Sequence, residues 1–389
     1  MKCENGRIRD LEIAYIGGGS RGWAWTFMTD LALEPALSGN IRLYDIDREA
    51  AKQNELIGNM VGERQEAVRR YAPNAWVINY TNPMALCVRT LYETFPEIKA
   101  YGCCHEVFGT QKLLKSICEQ TYGVKEIDRR DIVVNVMGLN HFTWFDKACY
   151  AGNDLMPVYS EFVEKHYESG YEEIDNNWMN NTFTCAHRVK FDLFRRYGLI
   201  AAAGDRHLAE FMPGEMYLKN PETVAKWKFG LTTVAYRKKE LQERLARSRR
   251  LGQGQKSIEL KATGEEGILL IKAPCGLTRV VSNVNLPNRF HQISNLPEDT
   301  VVETNVVFSK DSVQPIAAGK TPENMKGLFE AHVENQATIM KAALTKEKTY
   351  VYEAFEKDPL VSGRAGKLEI QKLADDMIEN TKKYLPQGW

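Results

Sequence analysis

The stretch Leu11-Glu-Ile-Ala-Tyr-Ile-Gly-Gly-Gly-Ser-Arg-Gly-Trp-Ala-Trp-Thr-Phe-Met-Thr-Asp-Leu31 drives a short apolar run into a glycine cluster and out into a helical pattern. Gly17, Gly19 and Gly22 satisfy G-x-G-x-x-G. The first permits the tight turn, the second lets backbone approach a pyrophosphate, and the third lets the helix pack on its strand. Gly18 and Ser20 lie between them, and the helix that follows turns its free N–H groups toward phosphate. A second apolar run, Ile41-Arg-Leu-Tyr-Asp45, ends in an acid 23 residues after Gly22, near the roughly 20 expected of a ribose-binding carboxylate. Strand, glycine turn, helix, strand and terminal acid together predict a dinucleotide site. The acid favours the free ribose hydroxyls of NAD over the added phosphate of NADP.

Outward from this unit, strand and helix alternate. Ala75–Asn79 reads as a buried strand, Pro83–Leu91 as a helix, and Lys99–Cys103 and Ile132–Met137 as further strands. Arg48–Tyr71 has a helical stripe weakened by Gly58 and Gly62. The alternation predicts an α/β fold with a Rossmann-like, doubly wound parallel sheet, with ligands gathered at the carboxyl ends of its strands. Beyond Trp144 the texture changes, so residues 1–145 are expected to form the nucleotide-binding domain and 146–389 a mixed α+β domain for substrate binding and oligomerisation. In the latter, Gly267–Lys272, Arg279–Asn285 and Thr300–Phe308 read as strands of an antiparallel sheet, and exposed sheet edges there point to a homo-oligomer. Thr321-Pro322 should cap one amphipathic helix, and Ile370, Leu373, Ala374 and Met377 mark the last one.

The chain has 389 residues, 43% of them hydrophobic, enough for two cores. Its 51 basic and 51 acidic residues cancel, which argues against nucleic acid or an anionic membrane as partner and for a small molecule. The basic run Arg237–Arg250 is therefore expected to be a solvated helix face or loop. No apolar run approaches the length of a membrane span, and the first residues lack a signal peptide's apolar core. Eight cysteines without the spacing of a secreted disulfide framework fit reduced thiols, and the expected location is cytoplasmic.

Cys104, His105 and His141 stand at the ends of two strands expected to be neighbours. A thiolate and an imidazole brought together there, with positions left open for substrate oxygens, suit a borderline divalent ion. Taken singly, a buried Cys is a small hydrophobe and a lone His a hydrogen-bonded core residue; the strand-end position distinguishes these two. Cys103 should point away from Cys104, so one of the pair can face the site.

The segments Gly17-Gly-Gly-Ser, Leu43-Tyr-Asp-Ile-Asp47, Asn79-Tyr-Thr-Asn-Pro83, Cys104-His-Glu-Val107, Gly138-Leu-Asn-His141, Gly204-Asp-Arg-His207 and Val284-Asn-Leu-Pro-Asn288 together resemble glycoside hydrolase family 4, in the family's order. Cys-His-Glu-Val and Gly-Trp-Ala-Trp are similar to the members acting on α-linked uronic acids, the α-galacturonidase and α-glucuronidase branch. The resemblance implies NAD-dependent glycoside cleavage by oxidation at sugar carbon 3, loss of the carbon 2 proton, elimination, water addition and reduction, rather than the usual pair of carboxylates. It implies Cys104 and His141 as ligands of a divalent metal, Mn2+ by first choice, acting as a Lewis acid. Asn82 and Asn140 would hold sugar hydroxyls, Arg206 with its neighbour His207 would meet a uronate carboxylate, and Asn79 would join Asp45 and the glycines at the cofactor. Asp205 is the expected base, with a helix N-cap as its alternative role, and His105 or Glu106 would protonate the leaving group.

Between Met60 and Ala75 the family pattern carries a much longer segment that flanks the nicotinamide, where this chain has 14 residues. Two other readings keep the nucleotide fold: an NAD-dependent hydroxy-acid dehydrogenase, which would release reduced cofactor, and a non-catalytic NAD- or sugar-binding relative.

Overall fold

The computed structural model describes residues 2–4, 6–17, 19–45, 47, 49–52, 54, 75–172, 176–255 and 261–389. Gly18 and most of the Arg48–Tyr71 stretch lie outside them; residues 49–52 and 54 are helical as expected.

Two sheets organise the described residues. The smaller runs β1 (Lys2–Glu4), β2 (Arg7–Ile16) and β3 (Leu37–Tyr44), with β2 and β3 parallel and Ile16 opposite Tyr44. Parallel strands need a crossover, and α1 (Trp23–Ala32) supplies it. Gly17 leaves β2 at φ +82°, a left-handed backbone that glycine adopts without strain, and its N–H donates to the Tyr44 carbonyl at 2.7 Å. The nucleotide-binding strand, turn and helix therefore form as the sequence predicts.

The larger sheet has nine strands: β4 (Trp76–Asn79), β5 (Lys99–Gly102), β6 (Ile132–Leu139), β7 (Phe142–Tyr150), β8 (Asn153–Asp154), β9 (Ile200–Ala201), β10 (Val280–Pro287), β11 (Val301–Ser309) and β12 (Ser312–Pro315). Its order is β4-β5-β10-β11-β6-β7-β8, with β12 on β11 and β9 on β7; β4–β5 is its parallel pair and the other pairings are antiparallel. The expected adjacency of β5 and β6 does not occur. β6 instead turns back on itself as a hairpin with β7, and β10 and β11, from nearly 150 residues downstream, fill the space between. The sheet is continuous through position 145, which lies inside β7.

The helices that bear on the site are α2 (Met84–Thr94), α3 (Glu106–Tyr122), α4 (Met156–His166), α5 (Arg188–Tyr197), α6 (Asp205–Glu210), α7 (Val234–Gly252), α8 (Gly267–Lys272), α9 (Lys326–Thr345) and α10 (Lys367–Thr381). Gly267–Lys272, read from sequence as a strand, is helical. A six-residue apolar run carries no period long enough to separate strand from helix; as a helix it buries Ile268 against Ile8 and Leu37 of the smaller sheet and Leu270 against Tyr101 and Val284 of the larger one. The Thr321 hydroxyl accepts from Asn295 at 2.7 Å rather than capping α9, which starts after a short 3-10 turn. The basic run forms α7, and Arg247 lies over the Trp25 ring of α1 at 5.1 Å, so part of its charge docks on the nucleotide unit.

Side chains on the two faces of the larger sheet fill separate cores. Phe142 and Trp144 join Val189, Leu208 and Phe329 on one, while Val134 and Phe145 join Phe108, Phe162 and Phe191 on the other. Truncating any such aromatic to Ala costs about 3–5 kcal/mol. These cores fix the carboxyl ends of β5 and β6, where the polar residues gather. Among the described residues no helix is long and apolar enough to cross a membrane.

Candidate active site

At the smaller sheet, Asp45 ends β3 beside the glycine turn. Its Oδ2 accepts the Gly19 N–H at 2.9 Å and its Oδ1 the Asp47 N–H at 2.9 Å. A Cβ on Gly19 would stand 2.7 Å from Ala50 Cβ, so no side chain fits there, whereas one on Gly22 would meet the movable end of Arg244, Nη1 at 2.7 Å. An acid at the strand end, a bare backbone turn and a helix N-terminus fit a dinucleotide's ribose and pyrophosphate. Asn79 is occupied in shaping its own turn, its Nδ2 donating to the Thr81 carbonyl at 2.9 Å.

Trp23 links this cradle to the second half of the site. Its ring lies 5.9 Å from Tyr80 and 5.4 Å from His105. A cleft of about 310 Å³ opens between them, lined by Tyr15, Trp23, Asp30, Tyr80 and Glu265, and a second of about 230 Å³ reaches Cys103 and Cys104.

Around α3 and α6 the structure gathers His105, Glu106, His141, Arg206 and His207. Glu106 opens α3, and its Oε2 accepts the Gly204 N–H at 2.9 Å while its Oε1 lies 3.7 Å from His207 Nε2. Burial works to raise the Glu106 carboxyl, but His207, the Gly204 N–H and His141 outweigh it and hold it below the ordinary value. His141, at φ +64° in the β6–β7 turn, stacks on His207 at 4.2 Å. Burial and then the His207 ring push His141 down to about 4, so it is a neutral imidazole near pH 7, the form that ligates metals. His207 Nδ1 lies 3.2 Å from Glu210, and the exposed His105 is 3.7 Å from Glu265.

Cys104 is buried just ahead of α3. Burial, and then the Glu303 carboxyl, raise its thiol well above the ordinary value, opposed by the Glu106 backbone N–H and the Asn140 amide that donate to its sulfur. A sulfur, a neutral imidazole and an ionised carboxylate are donor types that suit a borderline divalent ion, although the ligand atoms of Cys104, His141 and Glu106 do not all lie within 4.8 Å of one another. Cys103 packs with Tyr101, Leu270 and Val284, away from these donors, as the sequence predicts. Asn82 lies exposed and accepts the Met84 N–H at 3.2 Å, and Asn140 is buried with its amide 3.2 Å from Glu303.

Asp205 stands apart from this gathering. It is fully buried, and its oxygens accept the Val189 and Lys190 N–H groups at 3.1 and 3.2 Å, so it caps α5 from the start of α6. Burial raises its carboxyl to about 6, opposed by Lys190. Among the described residues, Cys185, His187 and Asp205 are the three metal-type donors whose ligand atoms lie within 4.8 Å of one another. The Lys190 ammonium already supplies the positive charge there, with Nζ 2.7 Å from Thr110 Oγ1, and the aspartate oxygens are taken by backbone; a divalent ion would meet repulsion.

Arg206 is half-buried and incompletely satisfied. Its Nη1 is buried without a hydrogen-bond partner, its Nη2 lies 3.4 Å from His207 Nε2, its guanidinium lies 5.2 Å over the Phe183 ring, and among the described residues no carboxylate forms an ion pair with it. The residues that the sequence reading passed over are Glu210, Glu265 and above all Glu303. The last was visible as a lone acid within Val301-Val302-Glu303-Thr304-Asn305-Val306, where every neighbour reads as buried strand.

The family 4 glycosyl hydrolase model matches residues 12–66 and 57–120, and the family 4 glycosyl hydrolase C-terminal domain matches residues 136–361. The chain belongs to glycosyl hydrolase family 4. Two members with which it aligns are the alpha-galacturonidases of Lachnoclostridium phytofermentans, 52% identical with both chains fully covered, and of Bacillus subtilis strain 168, 41% identical over 96% of this chain and 98% of the other. The crystal structure of Bacillus subtilis lplD, described as a glucosidase, superposes with a TM-score of 0.89 at 41% identity, covering 95% of this chain and all of the other. A family fold shared at lower identity is seen in a 6-phospho-alpha-glucosidase from gut microorganisms solved with NAD and Mn2+, at TM-score 0.74 and 16% identity over 97% and 99% of the two chains. The Lachnoclostridium alignment spans 464 positions against 389 residues here, so at least 75 positions have no residue in this family 4 chain. The two pieces of the family model overlap at residues 57–66, where the sequence shows its short connection.

Proposed function

We propose that this chain is an α-galacturonidase that uses NAD and a divalent metal, Mn2+ by preference, on an α-linked uronic acid glycoside. One observation carries the substrate class: the guanidinium of Arg206, half-buried beside His207, whose Nη1 is buried with no hydrogen-bond partner. A buried donor left without a partner costs about 1–3 kcal/mol until an acceptor arrives, and a uronate carboxylate matches the guanidinium fork. The galacturonidase name of relatives at 41–52% identity supports the same class.

Gly17, Gly19, Gly22 and Asp45 would hold the cofactor, and Cys104 and His141 the metal. When bound, the two groups supply reversible oxidation at the sugar and polarisation of its hydroxyl oxygens. The chain's own residues do the rest. Arg206 anchors the carboxylate and so fixes the ring's register, and Asn140 and Asn82 take hydroxyls. Glu106, ionised and 3.7 Å from His207 Nε2, moves the carbon 2 proton with His207, while the exposed His105, 3.9 Å from Glu106, serves the leaving group. Asp205 acts one step back: by capping α5 it fixes the start of α6, and thus Arg206 and His207. The setting we infer is cytoplasmic and homo-oligomeric, supported by exposed apolar side chains on α9 and α10 such as Leu344, Leu368 and Met377, and checked by light scattering.

The test is cleavage of aryl α-galacturonides and α-galactosides with NAD+ and Mn2+ present. The galacturonide should be preferred, and Arg206→Ala should narrow the preference by about 10- to 100-fold, the worth of a charged hydrogen bond. In heavy water the product should carry deuterium at carbon 2. Preference for the neutral sugar by the unmodified protein refutes the substrate class.

A second reading, a family member that binds NAD and sugar without turnover, is favoured by the 75 or more aligned positions that have no residue here. Calorimetric binding of both ligands with no cleavage identifies it.

A further inference from the structure

Glu303 occupies the middle of β11, opposite Gly138 of β6 and Asn285 of β10, and is 1% exposed. An acid at the centre of a sheet is tolerated when its oxygens are filled. Oε1 accepts from Asn283 Nδ2 at 2.7 Å, and Oε2 accepts from Asn140 Nδ2 at 3.2 Å.

Each of those amides has a second task. Asn283 Nδ2 also reaches the Cys104 carbonyl at 3.4 Å, and the Asn140 amide donates to the Cys104 sulfur. Cys104 is therefore held at two atoms by two amides, and both amides are held by one carboxylate. Burial raises the Glu303 carboxyl to about 7, opposed by the amides around it; ionised, as it is above that pH, it accepts and does not donate, so each asparagine turns its NH2 toward it. With its NH2 turned to Glu303, Asn140 has its Oδ1 on the other side of the amide, free to meet a ligand, and no hydrogen bond among the described residues uses that oxygen.

We propose that Glu303 is a positioning residue: it locks Asn140 so that the site offers an acceptor, and not a donor, to a substrate hydroxyl, and it braces Cys104 through Asn283. The substrate half of this inference rests on the uronate reading above; the Cys104 half does not. Nothing local in the sequence connects position 303 to positions 104 and 140, and the strand order alone brings them together.

Glu303→Gln tests it at constant shape. Glutamine must give one of its two contacts an N–H, which forces an asparagine to turn over. With NAD+ and Mn2+ present, the affinity for galacturonate measured by calorimetry should fall at least about tenfold, and KM should rise more than kcat falls, while the urea midpoint stays near the parent's. The double variant Glu303→Gln with Asn140→Asp moves the acid one partner along. It restores an acceptor toward the ligand and should recover binding to within about threefold.

Mn2+ affinity, read by electron paramagnetic resonance without substrate, forms a separate arm. Asn283→Ala frees the Cys104 carbonyl and should weaken Mn2+ several-fold with a smaller effect on galacturonate. This variant keeps the proposal testable if Glu303→Gln does not fold. If the parent binds no galacturonate, the uronate reading falls and the Mn2+ arm alone decides the role of Glu303. Parent-like galacturonate and Mn2+ affinities in Glu303→Gln, a double variant no better than the single, or parent-like Mn2+ binding in Asn283→Ala would each overturn it.

Discussion

The two sheets support ligands in different ways. In β2 of the smaller sheet Ile8 is the one fully buried side chain, and Ile16, next to the glycine turn, is 52% exposed. In β10 of the larger sheet six consecutive residues, Ser282 to Pro287, are buried, and β11 begins with four more. A parallel strand in a doubly wound sheet is ordinarily covered on both faces, and β2 is not. The cofactor end is thus an open backbone cradle, where a substitution should weaken binding before it weakens the fold. The larger sheet's end is packed so closely that its polar groups must satisfy one another, and a substitution there should be read first as lost stability.

The sharpest way to break this contrast is Gly138→Ala. Gly138 lies at φ +158°, and a Cβ on it would stand 2.2 Å from the Phe142 carbonyl oxygen and 2.7 Å from Thr143 Cα, both backbone atoms that cannot step aside. The expected loss exceeds about 4 kcal/mol, enough to abolish folding. A cooperative urea transition at the parent's midpoint would show that the hairpin yields. Next in size, Lys190→Met strips Asp205 of its buried counter-charge and should cost about 3 kcal/mol in the same measurement.

A pH scan comes third. Burial, and then Lys190, push the half-buried His187 down to about 3, below the ordinary 6.5. The stability due to its neutral form is complete above pH 6.5 and is lost as pH falls toward 3, by at most about 3 kcal/mol at pH 4.5. His187→Gln should flatten the fall in melting temperature between pH 7 and 4.5, and an unchanged slope would place the acid sensitivity elsewhere. The smallest stability effect belongs to the cradle. A Cβ on Gly17 meets nothing within 4 Å, so Gly17→Ala bears the strain of φ +82° alone, about 1 kcal/mol, yet it should weaken NAD+ at least tenfold in calorimetry. Large destabilisation with intact NAD+ binding would reverse the contrast drawn here.

Legibility in sequence followed the range of the interaction. The glycine turn, Asp45 at the end of β3 and the helix after it are consecutive or nearly so, and they formed as read. So did β4, β5, β10 and β11, whose apolar runs are long enough to declare themselves. Gly267–Lys272 was too short to show its period, and it folded as a helix. The placement of β10 and β11 between β5 and β6 left no local mark, because either neighbour satisfies β6's backbone equally well. Cys104, Glu106, His141 and His207 were recognisable from their motifs, although the expected contact through adjacent strands was not how they met. Asp205 illustrates a different limit: an acid beside Arg206 and His207 looks chemical, and only the direction of its oxygens, into the α5 terminus, separates capping from catalysis. Arg206 could be named for its charge, but its lack of a partner is a property of the fold.

The insertion of β10 and β11 also sets a timetable for synthesis. A ribosome making this chain releases β5 and β6 long before residues 280–309, and until β10 and β11 emerge β5 and β6 each keep an unpaired edge and Cys104 has no brace. At about 5–20 residues per second that interval lasts roughly ten seconds or more, far longer than local helices need to form. The nascent protein therefore spends much of its manufacture with its future catalytic floor open, a stage at which a chaperone or a paused codon would have the greatest influence on yield.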